Sequence, residues 1–267
     1  MWVLIGVCVA SSSWAHAQSR QPQQFDSAEA LLSALEDAGR EIRTLSAGVR
    51  YVRRMALQGD EQTRQGALYF EQSPAGEGQP PRRRFAVVFD TLYVSGRRQP
   101  DRQAWVFDGR WLVERRPDEK QYVARELAPA GEQIDPLRLG EGPLPIPIGQ
   151  RAADVLARFR AELVNPHNGL EDEPGSVHEL VADTWQLRLT PRESFAQESG
   201  FEEVRLWYDR ETLLPRLAKT IDTDGDEAFV VLVGTRVNGP IVDGVFDIEP
   251  PAAGAGWDVQ IEEFRGR

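Results

Sequence analysis

Residues 104–113 read Ala-Trp-Val-Phe-Asp-Gly-Arg-Trp-Leu-Val, and this stretch decides the fold. Asp108-Gly109 is a favoured two-residue turn between β-strands, and both flanks of the turn are apolar. Because successive side chains of a strand point to opposite faces, both faces of this hairpin need a cover. Either helices and sheet simply pack on them, or one face lines a cavity. The large apolar side chains concerned are Trp105, Phe107, Trp111 and Leu112.

Segments that alternate with the period of a β-strand extend from this hairpin in both directions. Short turns separate most of them, which favours antiparallel pairing. The predicted strands are 49–55, 67–70, 85–89, 104–107, 111–113 and 121–127 in the first half, and 177–181, 185–189, 204–208, 214–221 and 229–237 in the second.

Two segments show helical spacing instead. Apolar residues recur every three or four positions over 27–45, after a possible capping box formed by Asp26 and Glu29, and again over 150–163. The stretch 128–149 is rich in Pro and Gly yet too apolar for a solvated loop, so it has to lie against something. The sequence therefore predicts an α+β fold, mostly antiparallel β, in which two helices and a loop cover one face of a curved sheet.

The N-terminus predicts export. Residues 2–10 form a continuous apolar run, too short to span a bilayer, and Ala15-His16-Ala17 is a small-x-small cleavage pattern, although the run has no preceding Lys or Arg. We expect a signal peptide over 1–17, a polar tether over 18–26, one domain over 27–260 and a tail over 261–267. The only cysteine, Cys8, lies within the signal, so the exported chain has no thiol chemistry.

Composition and motifs argue against several classes of function. The net charge of −11 disfavours nucleic acids and anionic membrane surfaces as partners. His167 and His178 have no ligand partners at metal-binding spacing, and the acidic run 222–227 fits a turn better than a calcium loop. No nucleophile, base and orienting group can be named together. We therefore expect no catalytic residues, no metal and no cofactor.

Four short motifs resemble, in their order, those of the periplasmic outer-membrane lipoprotein carriers, the LolA-like family. They are QGAL at 65–68, FDG at 107–109 leading to Pro117, LRLTP at 187–191 and DGVFDIEPP at 243–251. The similarity covers most of residues 27–259.

The resemblance implies an incomplete β-barrel, a curved antiparallel sheet whose concave apolar face is covered by helices and a loop. It also implies a monomeric periplasmic carrier that shuttles acylated lipoproteins from an inner-membrane release complex to an outer-membrane acceptor, without a cofactor. An arginine of this family helps to hold the lid closed, and its counterpart here is Arg84 or Arg83. Two alternatives stay open: an RseB-like envelope sensor that regulates a membrane partner, and an LppX-like carrier of lipids or glycolipids.

On this view, alternate residues of the predicted strands line the concave face, and the apolar stretch 128–149 supplies the lid. The predicted lining residues are Phe85, Val87, Phe89, Trp105, Phe107, Leu187 and Leu189. The predicted lid residues are Leu144, Ile146 and Ile148.

Overall fold

The computed structural model describes residues 24–73, 82–129, 139 and 148–264. The predicted signal peptide, most of the tether, and the lid residues Leu144 and Ile146 lie outside these ranges. The helices are α1 Ala28–Arg40, α2 Ala152–Arg158, α3 Gly175–Val181 and α4 Ala196–Ser199. The strands are β1 Thr44–Met55, β2 Asp60–Gln72, β3 Arg83–Val94, β4 Arg97–Phe107, β5 Trp111–Arg116, β6 Gln121–Glu126, β7 Phe159–Val164, β8 Thr184–Pro191, β9 Phe201–Asp209, β10 Pro215–Asp222, β11 Glu227–Val237 and β12 Asp258–Glu262.

All twelve strands form one open sheet in the order β12-β6-β5-β4-β3-β2-β1-β11-β10-β9-β8-β7. Within each half the strands follow one another as antiparallel neighbours, and β1 joins the halves by pairing with β2 on one side and β11 on the other. The sheet is curved and does not close, because β7 and β12 stand at opposite ends of the order. The predicted fold class is therefore confirmed.

Helix α1 begins one residue later than the capping box predicted. Ser27 is the N-cap, and its hydroxyl accepts a hydrogen bond from the Ala30 amide at 3.2 Å. Leu31 and Leu32 are buried on the face that packs against the sheet. Just before the helix, Phe25 packs edge-on against Trp185 with ring centroids 5.4 Å apart, so the tether predicted for 18–26 reaches the core at its end.

Three predicted elements were wrong in extent or type. Helix α1 ends at Arg40, and Leu45 lies in β1. The second helix ends at Arg158, after which residues 159–164 form β7. Residues 177–181 were predicted as a strand but belong to α3. In the second and third of these segments the apolar residues are spaced four apart, as Val155 and Phe159 and as Val177 and Val181, a spacing that places side chains on one face of a helix and also on one face of a strand.

The C-terminus adds a strand that the sequence did not reveal. β12 runs parallel to β6, with Val259 opposite Tyr122, and extends to Glu262 in the segment predicted as a tail. A parallel neighbour requires a long connection, and residues 238–257 provide it by crossing the outer face of the sheet. There the Tyr122 hydroxyl donates to the carbonyl of Ile248, and Arg115 donates to that of Glu249 at 2.7 Å.

Both faces of the hairpin at 104–113 are covered, as predicted. Trp105, Phe107 and Leu112 belong to the main core, on the concave face that carries α1 and α2. Trp111 belongs to a smaller core on the convex face, where Ile248 and Trp257 pack over it. A second convex core, around Trp207, lies beneath the segment 165–183.

Candidate functional site

The predicted lining residues all lie in one apolar cluster on the concave face of the sheet. Strand pairing brings those of β3 and β4 together, with Phe85 opposite Phe107 and Val87 opposite Trp105. Leu187 and Leu189 join the same cluster from β8, in the other half of the sheet. Trp105 alone among the predicted residues is half-buried; the others are 0 to 1% exposed. The concave face is thus a continuous apolar surface.

Three aromatic rings meet where this surface approaches solvent. The ring centroids of Phe89 and Trp105 are 5.3 Å apart in an edge-on contact, and Tyr51 lies 6.0 Å from Trp105 and 6.2 Å from Phe89. Tyr51 was not among the predicted residues, although it alternates in phase with Val49. Burial raises the pKa of the Tyr51 phenol, more than the nearby Arg53 and Arg64 lower it, so this hydroxyl stays neutral at pH 7.

Helices α1 and α2 cover the apolar face together with Leu139 and Ile148. Leu139 is 1% exposed and Ile148 is 3% exposed. A cavity of about 30 Å³ lies between this cover and the sheet. It is bordered by Leu35, Ile42, Leu139, Ile148, Leu206 and Tyr208. In this state the described part of the cover fills the concave face.

Arg83, rather than Arg84, holds the end of the loop. The Arg83 guanidinium donates to the Gly149 carbonyl and to the Gln72 side-chain oxygen, each at 2.8 Å. Gly149 also touches the C-terminal turn of α1 so closely that a Cβ on Gly39 would lie 2.2 Å from the Gly149 Cα. The Glu36 carboxylate accepts a hydrogen bond from the Ala152 amide at 2.9 Å, which ties α1 to α2.

Arg84 was predicted to help hold the lid closed, but its side chain points to the convex face, away from the cover. There it bonds Glu71, with Nε to Oε1 at 2.9 Å, and its guanidinium stacks 4.5 Å from the centre of the Phe246 ring. Residues 83 and 84 are adjacent on β3 and therefore face opposite sides of the sheet.

Arg158 is a functional candidate that the sequence analysis missed. It is 8% exposed, and it donates to the Leu139 carbonyl at 2.9 Å and to the Asp154 carbonyl at 3.2 Å. Its guanidinium also lies near the rings of Phe159 and Phe195, at 5.8 and 5.4 Å. The available signal was a single arginine among apolar residues at 155–159. Arg83 and Arg158 thus hold the loop at Gly149 and at Leu139.

His167 and His178, which the sequence places outside any metal-binding spacing, lie together on the convex side. Nδ1 of His167 is 3.1 Å from Nδ1 of His178, with the rings stacked. Among the described residues, no group of three or more His, Cys, Asp or Glu side chains could hold a metal ion. Nor does any helix in the same ranges combine the length and apolarity needed to cross a bilayer.

The segment that carries these histidines is fixed to the sheet by a charged pair. Arg54 donates to both carboxylate oxygens of Glu173, whose side chain is only 6% exposed. These hydrogen bonds hold the pKa of Glu173 below its usual range and raise that of Arg54. The pair stabilises the folded state above the unfolded-state pKa of Glu, about 4.3, and this stabilisation is lost as the pH falls through the lower folded-state pKa.

Replacing Glu173 with glutamine should therefore lower the free energy of unfolding at pH 7 by about 2 kcal/mol, since Arg54 keeps its contact with Glu61. Urea unfolding at pH 7 and pH 3.5 measures this, and the difference from wild type should shrink at the lower pH. Glu179→Gln, at an exposed position of α3, is the control and should change little at either pH. An equal effect at both pH values would contradict the assigned role of the carboxylate.

Fold and site together define an open half-barrel that encloses an apolar face beneath two helices and a loop. No protein-family model and no curated protein matches the chain. Similar solved structures include an uncharacterized conserved protein from Thermus thermophilus, with 15% identity over 88% of this chain and 97% of that chain and a TM-score of 0.42.

Two further structures show the same range of similarity. A LolA superfamily protein from Nitrosomonas europaea is 12% identical over 82% of this chain and 97% of that one, with a TM-score of 0.33. The Mycobacterium tuberculosis lipoprotein LppX is 10% identical over 80% of this chain and 96% of that one, with a TM-score of 0.40. Solved structures similar to this chain thus include one named as a LolA superfamily protein, the family that the sequence motifs resemble.

Proposed function

We propose that this protein is a periplasmic carrier that binds the acyl chains of lipoproteins against its concave face and shuttles them toward the outer membrane. The observation that carries the proposal is a continuous apolar face, built from both halves of the sheet, that is covered by α1, α2, Leu139 and Ile148. Such a face can accept a long apolar ligand only when the cover moves. The role is one of binding rather than catalysis.

A cover that fills the site also makes release possible. Burying acyl chains is favourable by about 0.8 kcal/mol per methylene, so a multiply acylated anchor on a permanently open surface would hardly dissociate. When cargo enters, Leu139 and Ile148 lose their burial and Arg83 loses its bond to Gly149. That cost is subtracted from the cargo's gain and brings the affinity into a reversible range.

The direct test is a titration of the full chain with a diacylated cysteine peptide, in which tryptophan fluorescence measures binding. We expect saturable binding, with the non-acylated peptide as the negative control. A matched diacylglycerol separates the two cargo classes: tighter binding of the peptide identifies a lipoprotein carrier, and equal binding identifies a lipid carrier. The absence of binding by both acylated ligands would refute the proposal.

Arg83→Ala should increase the affinity for the diacylated peptide by about tenfold. The substitution removes a charge-assisted hydrogen bond from the closed state, worth about 1.5 to 3 kcal/mol, and makes opening easier. Arg84→Ala is the matched control, because it removes the neighbouring arginine from the convex face, and it should leave the affinity unchanged. Equal effects of the two variants would show that Arg83 does not hold the cover.

A further inference from the structure

Strand β12 leaves one edge of the sheet open. It pairs with β6 on one side and ends the strand order, and no described segment pairs with its other side. The opposite edge of the sheet, β7, is flanked by α1 and α2 and packs its first residue, Phe159, into the core. Proteins normally cover a sheet edge in this way, because its unpaired N–H and C=O groups can otherwise pair with strands of other chains. β12 has no such cover within the described ranges.

The hydrogen bonds around β12 show which backbone groups point outward. The amide of Asp258 donates to the Lys120 carbonyl at 2.8 Å, and that of Phe264 donates to the Glu126 carboxylate at 2.9 Å. Both bonds point toward β6. Because backbone groups alternate along a strand, Gln260 also faces β6, whereas the N–H and C=O groups of Val259 and Ile261 face the open edge.

The side chains of β12 define what the edge can accept. Every residue of the strand is exposed; Val259 is 42% exposed and Ile261 is 59% exposed. These two continue the apolar row of Tyr122 and Ala124 on the convex side, because they lie opposite them in the register. The alternate positions, on the other face, are Asp258, Gln260 and Glu262; the Glu262 carboxylate pairs with Arg125 of β6 at 3.0 Å, and the Asp258 carboxylate accepts a hydrogen bond from Gln260 at 3.2 Å.

We propose that the outer edge of β12 is a docking site for an extended partner segment in which apolar and cationic residues alternate. Such a segment adds a strand through the backbone groups of Val259 and Ile261, packs its apolar residues on their side chains, and places a cation beside Asp258, since Glu262 already pairs with Arg125. A second copy of the chain fits poorly. Antiparallel self-pairing about Gln260 sets Asp258 opposite Glu262 twice, and each copy carries a net charge of −11.

The test uses the full chain and two acetylated nine-residue peptides, one alternating lysine with valine and the other glutamate with valine. Fluorescence anisotropy should detect binding of the lysine peptide only. Hydrogen exchange should show slower exchange of the Val259 and Ile261 amides in its presence. Ile261→Pro removes an outward N–H group and should weaken binding about tenfold, whereas Gln260→Ala should leave it unchanged.

Fast exchange of the Gln260 amide would show that the proline variant has detached β12. In that case Ile261→Asp is used instead. This variant should also weaken binding, because it removes an apolar contact. Three results would overturn the proposal: no binding of the lysine peptide, protection confined to other segments, or unchanged affinity in both Ile261 variants. Light scattering that shows a dimer dissociated by Ile261→Asp would also overturn it, in favour of a second copy.

Discussion

Replacing Trp105 with lysine is expected to weaken acyl-chain binding by about a hundredfold while leaving the protein folded. Trp105 is the half-buried member of the aromatic group with Tyr51 and Phe89, at the place where the concave face approaches solvent. The substitution removes a large apolar surface, and an acyl chain lying there would have to desolvate an ammonium group. The folded state tolerates it because the lysine stem can cover apolar surface and its head lies across from Glu114. Titration with the diacylated peptide measures the effect.

Trp111→Lys is the matched control for this prediction. Trp111 belongs to the same hairpin and is also half-buried, but it packs on the convex face against Ile248 and Trp257. Both variants should lose about 1 to 2 kcal/mol of unfolding free energy, and only Trp105→Lys should lose binding. Phe89 is a poorer target for a charge, because it is 1% exposed and a buried carboxylate there would unfold the core. Equal loss of binding in both tryptophan variants would show that acyl chains do not bind specifically on the concave face.

Gly39→Ala is expected to lower the free energy of unfolding by about 2 to 3 kcal/mol, the cost of overpacking a site that cannot relax freely. The new Cβ would lie 2.2 Å from the Gly149 Cα and 2.5 Å from its nitrogen, so α1 and the loop end have to separate. That separation strains the bond between Arg83 and the Gly149 carbonyl. Urea unfolding gives the stability, and binding of a fluorescent apolar dye reports exposure of the concave face.

Gly175→Ala is the control for the glycine variant. It lies in the first turn of α3 with open space around its Cβ position, so alanine should be neutral or slightly stabilising. If Gly39→Ala matched this control in stability and dye binding, α1 and the loop end would not be packed as described.

The fold class was predictable because the strand alternation recurs in many segments along the chain. The turn between β4 and β5 is longer than the predicted two residues, because Phe107 pairs with Leu112, but alternation alone assigns Trp105 and Phe107 to one face. Phe159 and Val181 were placed in the wrong type of element, because each lies four residues after another apolar residue, Val155 and Val177. That spacing fits one face of a helix and one face of a strand alike. Tertiary packing decided between the two.

The site was predictable only where strand periodicity determines it. The sheet lining followed from alternation, but the contacts of the cover join residues far apart in the chain, such as Arg83 with Gly149 and Arg158 with Leu139. Alternation does distinguish Arg83 from Arg84, because Arg83 is in phase with the lining residues Phe85 and Val87 once β3 is known to begin at residue 83. β12 was missed because its parallel partner, β6, lies more than a hundred residues earlier.

Native mass spectrometry of the full chain is the measurement that bears most directly on the proposed binding of acylated cargo. The chain is purified from an envelope fraction without detergent, and its bound material is released and identified by lipid extraction. We expect a co-purifying acylated lipoprotein or lipid that is absent from a parallel preparation of Trp105→Lys. An empty wild-type protein that also fails to take up added acylated lipoprotein would contradict the proposed binding.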